Sequence, residues 1–401
     1  MSVNASARQA TPPSSSVDWD KLGFTEREVN AHVRVTYKDG QWGKPALHTG
    51  TDLNVHYAAP CLNYGQQAFE GIKAFRTKAG SVHIFRPQEN FKRINLSASV
   101  ASMPALTEAV FFDSLKAVVA ANLEYVPPYQ PNASGGALYI RPLLLATGPR
   151  LLLDSPDEFT FVIWVSPVGS LYGSAKAIPA VDGFVLDTFD RTAPMGTGHT
   201  KLGGNYAPVF KPTREAKKRG FPITLHLDSA TRTYIDEFST SNALAIKRHG
   251  DATTLVVPES TSILRSVTKI SVVDIAKKLL GWNVELRPVA FQEVKDKHFD
   301  EFLAAGTAAG VTPVRSMSYN TKQPRLVSGG STEEPHGPRF DFPPDNVVER
   351  IDFGDGKTAG EGAKVLFDQL TSYQCGDQED VFGWLWPAEG IVAEDASAAS
   401  S

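Results

Sequence analysis

The chain has 401 residues, enough for two ordinary domains that each bury a core. Its 42% hydrophobic and 21% charged residues are those of a soluble globular protein, and 27 prolines with 32 glycines exclude collagen, disorder throughout or long coiled helices. The net charge of -4 comes from 40 basic and 44 acidic side chains spread along the chain, which leaves no basic stripe for a nucleic-acid partner.

Residues 1–28 read as a disordered N-terminal tail. Met1 to Val17 is rich in Ser, Ala and Pro, has one basic residue, Arg8, and lacks an apolar signal core, with a mitochondrial presequence as the alternative. Residues 29–167 form a small first domain. Val33 to Tyr37 alternates before the turn Lys38-Asp39-Gly40, as a strand does. Apolar residues at three- and four-residue spacing predict helices over 87–100 and 114–125, the second carried by Leu115, Val118, Val119 and Leu123. Strands follow at Ala137 to Leu143 and Phe159 to Val165. The latter is the longest strongly apolar run, far short of the roughly 20 residues that cross a bilayer, so no membrane partner is expected.

Residues 168–180, with Gly169, Ser170, Leu171, Tyr172, Gly173 and Ser174, read as an interdomain loop. A large second domain spans 181–390, with strands over 223–227, 233–238 and 252–257 and a helix from Ser271 to Leu280 stopped by Gly281. Asn320 to Pro344 turns to Gly, Pro, Ser and Glu and reads as a surface excursion, and 391–401 as a tail. The fold class is therefore α/β (α+β), two mixed α/β domains joined by a loop. Cys61 and Cys375 stand far apart with no C-x-x-C spacing, which argues against a disulfide framework or a zinc site. Metal ligands are not expected, and the cytoplasm is the natural compartment, with the mitochondrion as the alternative.

The chemistry concentrates in Thr200-Lys201-Leu202-Gly203-Gly204-Asn205-Tyr206, where an amine and a phenol flank two glycines that let a planar ligand approach the backbone. Taken alone, a lysine beside glycines is more often a solvated loop. A phosphate-loop reading of Gly196 to Lys201 fails because the Gly-Lys-Ser/Thr ending is absent. There is no H-E-x-x-H or G-x-S-x-G, and Asp352-Phe353-Gly354 has no kinase catalytic loop upstream.

Lys201-Leu202-Gly203-Gly204-Asn205-Tyr206 resembles the cofactor-lysine motif of the branched-chain aminotransferases, members of the fold-type IV pyridoxal-phosphate enzymes. The resemblance continues through Tyr64 to Phe75, Phe85-Arg86-Pro87 with Arg93, Tyr139-Ile140-Arg141-Pro142, Asp236 to Asn242, and Gly306-Thr307-Ala308-Ala309. Six blocks in family order, from about Leu47 to Tyr319, are far more specific than any one of them.

The resemblance implies a pyridoxal 5'-phosphate cofactor bound to Lys201 as a Schiff base, with the same amine moving a proton between substrate and cofactor. It implies that Glu237 binds the pyridine nitrogen, Tyr206 the phenolic oxygen and Arg93 the phosphate, the phosphate cup being completed by Ser266, Val267, Thr268 and Thr307. The family usually has Leu-Pro-Gly-Ile-Thr where this chain has Leu264-Arg265-Ser266-Val267-Thr268. Substrate contacts fall to Tyr139, Thr307 and Ala308 for the α-carboxylate, with Arg141 as supporting charge. Phe69 becomes a wall of the side-chain pocket, and Arg191 and Thr240 line the site. Tyr64 would reach the neighbouring subunit of a homodimer. A family pocket tyrosine in the interdomain loop maps to Leu171 or Tyr172. The implied reaction is transfer of the amino group of leucine, isoleucine or valine to 2-oxoglutarate. The alternatives are a D-amino-acid or amine transaminase, a relative recruited to unusual hydrophobic substrates, or a catalytically silent cofactor-binding homologue.

Overall fold

A computed structural model describes residues 11–129, 136–169, 171, 178–322 and 348–388. The first unit contains β1 (His32–Lys38), β2 (Gln41–Trp42), β3 (Ala46–His48), α1 (Pro60–Asn63), β4 (Gln67–Phe69), β5 (Ile72–Arg76), β6 (Val82–Phe85), α2 (Pro87–Val100), α3 (Glu108–Ala121), β7 (Ala137–Ala146) and β8 (Phe159–Val168). The second contains β9 (Val181–Val185), α4 (Phe210–Lys218), β10 (Ile223–Leu227), β11 (Ile235–Phe238), β12 (Asn242–His249), β13 (Ala252–Pro258), α5 (Val267–Lys278), β14 (Asn283–Arg287), α6 (Phe291–Lys295), β15 (Glu301–Gly306), β16 (Gly310–Asn320), β17 (Val348–Asp352) and α7 (Glu361–Gln374). A last strand, β18 (Leu385–Pro387), closes the described chain.

The first sheet is antiparallel in the order β18-β6-β5-β7-β8-β1-β2, with β3 also on β1 and β4 also on β7. Helices α2 and α3 cover one face, and a core of Ile94, Phe111, Leu115, Val118, Ile140 and Phe161 fills the space between. The second sheet is mixed, in the order β11-β10-β9-β16-β15-β12-β13-β14, and pairing of β11 with β12 at Glu237 and Asn242 closes six of its strands into a ring. Val185, Leu225, Phe238, Ala245, Val314 and Met317 pack within one cluster of this unit. A further core lies between β12, β13 and β15 and helices α5 and α7, reached from the first unit by Phe75 and Phe85. The two units thus share apolar surface, and the fold expected from the sequence is the one observed.

Several boundaries differ from the sequence reading, each for a local reason. Helix α3 starts at Glu108 rather than 114, because the Thr107 hydroxyl accepts from the Val110 N–H at 3.2 Å and brings Val110 and Phe111 into the buried stripe. Such a cap is worth about 1 kcal/mol. Helix α5 starts at Val267 rather than 271, because the Ser266 side chain accepts from the Lys269 N–H at 3.2 Å. Residues 11–28 are not a tail in this structure. The Ser14 N–H donates to the Glu124 carbonyl at 2.8 Å, the Gly169 N–H to the Gly23 carbonyl at 3.0 Å, and the Arg27 N–H to Ser166 Oγ at 2.9 Å. Their anchors are largely backbone groups, which leave no apolar period to read. The strand β18 also departs from the linear division, since it joins the first sheet through β6. Tyr172, the stretch 323–344 and the C-terminal tail lie outside the described residues.

Candidate active site

Lys201 is held by its backbone before its side chain does anything. Its N–H donates to Ser97 Oγ on α2 at 2.9 Å, and its carbonyl accepts from the Phe69 N–H at 3.1 Å. The loop before it is tied by Asn205, whose Nδ2 donates to the carbonyls of Thr197 at 2.8 Å and Thr200 at 3.0 Å. A Cβ at Gly203 would stand 2.7 Å from Gln67 Nε2, so this glycine allows the lysine segment to lie against β4. Gly204 has open space around it and carries no such demand.

The Lys201 amine points into a cavity of about 210 Å³ between the two units. It donates to Tyr206 Oη at 3.1 Å and lies 4.6 Å from the centre of the Phe69 ring, which meets Tyr206 edge-on. Burial, followed by the nearby Arg93 charge, brings the amine down to about 8. Burial and then Glu237 push the Tyr206 phenol up, so it stays a protonated donor.

Glu237 sits where the ring of strands closes. Its Oε1 accepts from the Leu264 N–H at 3.0 Å and from Arg191 Nη2 at 2.5 Å, and its Oε2 accepts from Asn242 Nδ2 at 2.7 Å. Burial pushes the carboxyl up while Arg191 and the Leu264 N–H pull it down. Arg191 lines the cavity, and its Nη2 is shared between Glu237 and the Ser262 carbonyl, the latter at 2.9 Å.

Arg93 meets Glu70 through both carboxylate oxygens and donates from Nη1 to the Arg265 carbonyl at 3.0 Å. Glu70 is fully buried and also accepts from Asn90 Nδ2 at 2.7 Å. Ser266 and Thr307 line the main cavity, whereas Val267 and Thr268 line a smaller one beside it, into which Thr307 also faces. The N-terminus of α5 and Arg93 thus bound one end of the site.

At the other end, Tyr139 Oη accepts from Arg141 Nη2 at 2.7 Å, and the Arg141 guanidinium lies 5.0 Å over Phe69 and 5.6 Å over Trp164. Thr240 and Ala308 also line the cavity, and the Ala308 carbonyl accepts from Lys73 Nζ at 3.0 Å. Burial brings the Lys73 amine down to about 8. Tyr64 does not face this cavity; it is half exposed and donates to the Leu151 carbonyl at 2.7 Å. Leu171 is exposed and is not among the described residues that line the cavity.

Sequence reasoning gave no role to Phe24, Glu70, Lys73, Ser97 or Asn242. Phe24 enters the cavity wall from the N-terminal segment and meets Tyr139 edge-on at 5.2 Å. For Glu70 the one available signal was an acid between two short apolar strand segments, β4 and β5, which burial obliges to find a cation.

The cavity fits pyridoxal phosphate on its own chemistry. It combines one buried amine of lowered basicity, a carboxylate, a phenol and a guanidinium beside a helix N-terminus. Arg141 Nε, Arg191 Nε and Asn242 Oδ1 are buried there without a hydrogen-bond partner among the described residues, as expected of a polar site shaped for a ligand. Among those residues no cluster could hold a metal ion, and no helix is long and apolar enough to cross a membrane.

Residues 67–317 match the family model described as amino-transferase class IV. The chain is 40% identical to the aminotransferase poxL of Penicillium oxalicum over 94% of both chains. It is 43% identical to the branched-chain amino acid aminotransferase gloG of Glarea lozoyensis over 76% of this chain and 80% of that one. The branched-chain amino acid aminotransferase of Thermobaculum terrenum, solved in its PLP form, shares the fold, with a TM-score of 0.66 at 20% identity over 90% of this chain and 100% of that one.

Proposed function

This chain belongs to the class IV aminotransferases, and from that premise we propose that it is a pyridoxal-phosphate-dependent transaminase moving the amino group of leucine, isoleucine or valine to 2-oxoglutarate. The observation that carries the reading is the buried Lys201 amine bonded to Tyr206 in one cavity with Glu237 and Arg93. Bound there, pyridoxal phosphate would supply an aldehyde for the amine and an electron-poor ring to accept the electron pair of the broken Cα–H bond.

Lys201 would hold the cofactor and carry the proton at the substrate α-carbon. With a basicity near 8, roughly a tenth of such amines are neutral at pH 7, against fewer than about one in a thousand for an ordinary lysine. Glu237 would accept the pyridinium proton's hydrogen bond, while the Leu264 N–H, Asn242 and Arg191 donate to it and oppose the burial that raises its pKa. Arg191 is thereby proposed as support for Glu237. Arg93, aligned by Glu70, would pair with the phosphate together with Ser266, Val267, Thr268 and Thr307.

Tyr139 and the Thr307-Ala308 turn, braced by Lys73, would hold the substrate carboxylate, with Arg141, whose Nε has no partner among the described residues, supplying positive charge. Phe24, Phe69 and Tyr139 give the side-chain pocket aromatic walls. Those walls favour one second reading, a larger hydrophobic amino acid as donor. Tyr57, Leu62, Tyr64 and Leu151 to Leu153 are exposed, and the bond from Tyr64 to Leu151 gathers the latter two into one patch. That patch supports the homodimer in which Tyr64 reaches the neighbouring site. Glutamate formed from 2-oxoglutarate with leucine, valine and phenylalanine as alternative donors tests the reading, and protein that turns over none of them contradicts it.

A further inference from the structure

Arg86, in the stretch Phe85-Arg86-Pro87, touches nothing in the cavity, yet its surroundings are specific. It stands at the head of α2 in the left-handed region, with φ 47°, where an L-residue needs outside support. The C-terminal segment provides it. The Arg86 N–H donates to the Trp384 carbonyl at 2.8 Å, and the guanidinium lies 4.3 Å over the Trp384 ring. On its other side Nη1 donates to Ser271 Oγ at 2.9 Å and Asp274 Oδ2 at 3.3 Å, both on α5. The side chain is 12% exposed.

These contacts join the two helices that bound the phosphate end of the site. Arg93 lies about two turns along α2 from Arg86, and Ser266 to Thr268 open α5. Trp384 in turn is fixed by stacking on Phe382 at 4.2 Å and by β18, which pairs with β6 immediately before Arg86. The neighbouring bridge from Arg265 to Glu89 is an outer one, with Arg265 largely exposed. We propose that Arg86 is a positioning residue for the cofactor phosphate: it sets the spacing of α2 and α5, and the C-terminal strand locks it by placing Trp384 over its guanidinium. This rests on the reading that Arg93 and the start of α5 hold that phosphate.

The test uses full-length protein stripped of cofactor, titrated with pyridoxal phosphate and, separately, with pyridoxal, which lacks the phosphate. Arg86→Met should weaken pyridoxal phosphate at least tenfold and pyridoxal less than twofold, with Arg86→Lys recovering part of the loss. Equal weakening toward both ligands marks a merely structural residue and overturns the proposal, as does unchanged affinity for pyridoxal phosphate. Should Arg86→Met not fold, as read by circular dichroism, Asp274→Asn is judged on the same two affinities. Wild-type protein that takes up no pyridoxal phosphate defeats the cofactor reading itself, a result distinct from wild-type binding with indifferent variants.

Discussion

Glu70 grips Arg93 in a two-point contact, Oε1 to Nε at 2.7 Å and Oε2 to Nη2 at 2.6 Å, with neither side chain open to solvent. A buried pair of this kind fixes the direction of the guanidinium, and removal of one partner leaves the other charge uncompensated. Glu70→Gln should therefore cost about 3 kcal/mol of stability and weaken pyridoxal phosphate by about tenfold or more. Thermal unfolding and a cofactor titration on the same protein check both, and unchanged cofactor affinity would show that Arg93 needs no alignment.

The pH dependence follows from the Lys201 amine. Its basicity is lowered to about 8 by burial and then Arg93, so the neutral amine grows about tenfold per pH unit below 8 and levels off above. The rate at which stripped protein captures pyridoxal phosphate should follow that curve. Continued rise to pH 10 would identify an ordinary exposed lysine instead.

Gly71 is confined by the site itself. A Cβ there would stand 2.5 Å from Tyr139 Oη, so Gly71→Ala must displace the phenol that lies at the proposed carboxylate end. The KM for amino acid should rise about tenfold or more while pyridoxal phosphate affinity holds within about threefold. An unaltered KM removes Tyr139 from substrate binding.

Phe24 lines the cavity from the N-terminal segment and meets Tyr139, which places it on the proposed side-chain wall. Phe24→Ala should lower kcat/KM for leucine by about tenfold, the worth of roughly 1–2 kcal/mol of lost apolar contact, and should penalise phenylalanine less. Equal loss for both donors would place Phe24 outside the pocket.

How much of this was legible in the sequence depended on distance along the chain. Lys201 and Tyr206 lie within one short motif, and Glu237 and Arg93 within two more, so their convergence in one cavity could be anticipated. Strands such as β10 and helix α2 carry patterns that fix their bounds residue by residue. The contacts that organise the site run further: Lys73 to Ala308 spans 235 positions and Arg86 to Asp274 spans 188. No local pattern reports such a pair. Arg191 illustrates the converse, since its place near the site was readable but its commitment to Glu237 was not. The C-terminal strand β18 joins the first sheet although it follows the second unit in the chain, because linear order carries no information about which edge a last strand joins.

The proposed chemistry depends on a covalent link at one nitrogen, and borohydride reduction of the pyridoxal-phosphate-loaded protein followed by peptide mapping reads it directly. A single reduced cofactor label is expected on the peptide containing Lys201, with loss of both label and transaminase turnover in Lys201→Ala. A label on another lysine, such as the buried Lys73, or a Lys201→Ala protein that still turns over, would contradict it.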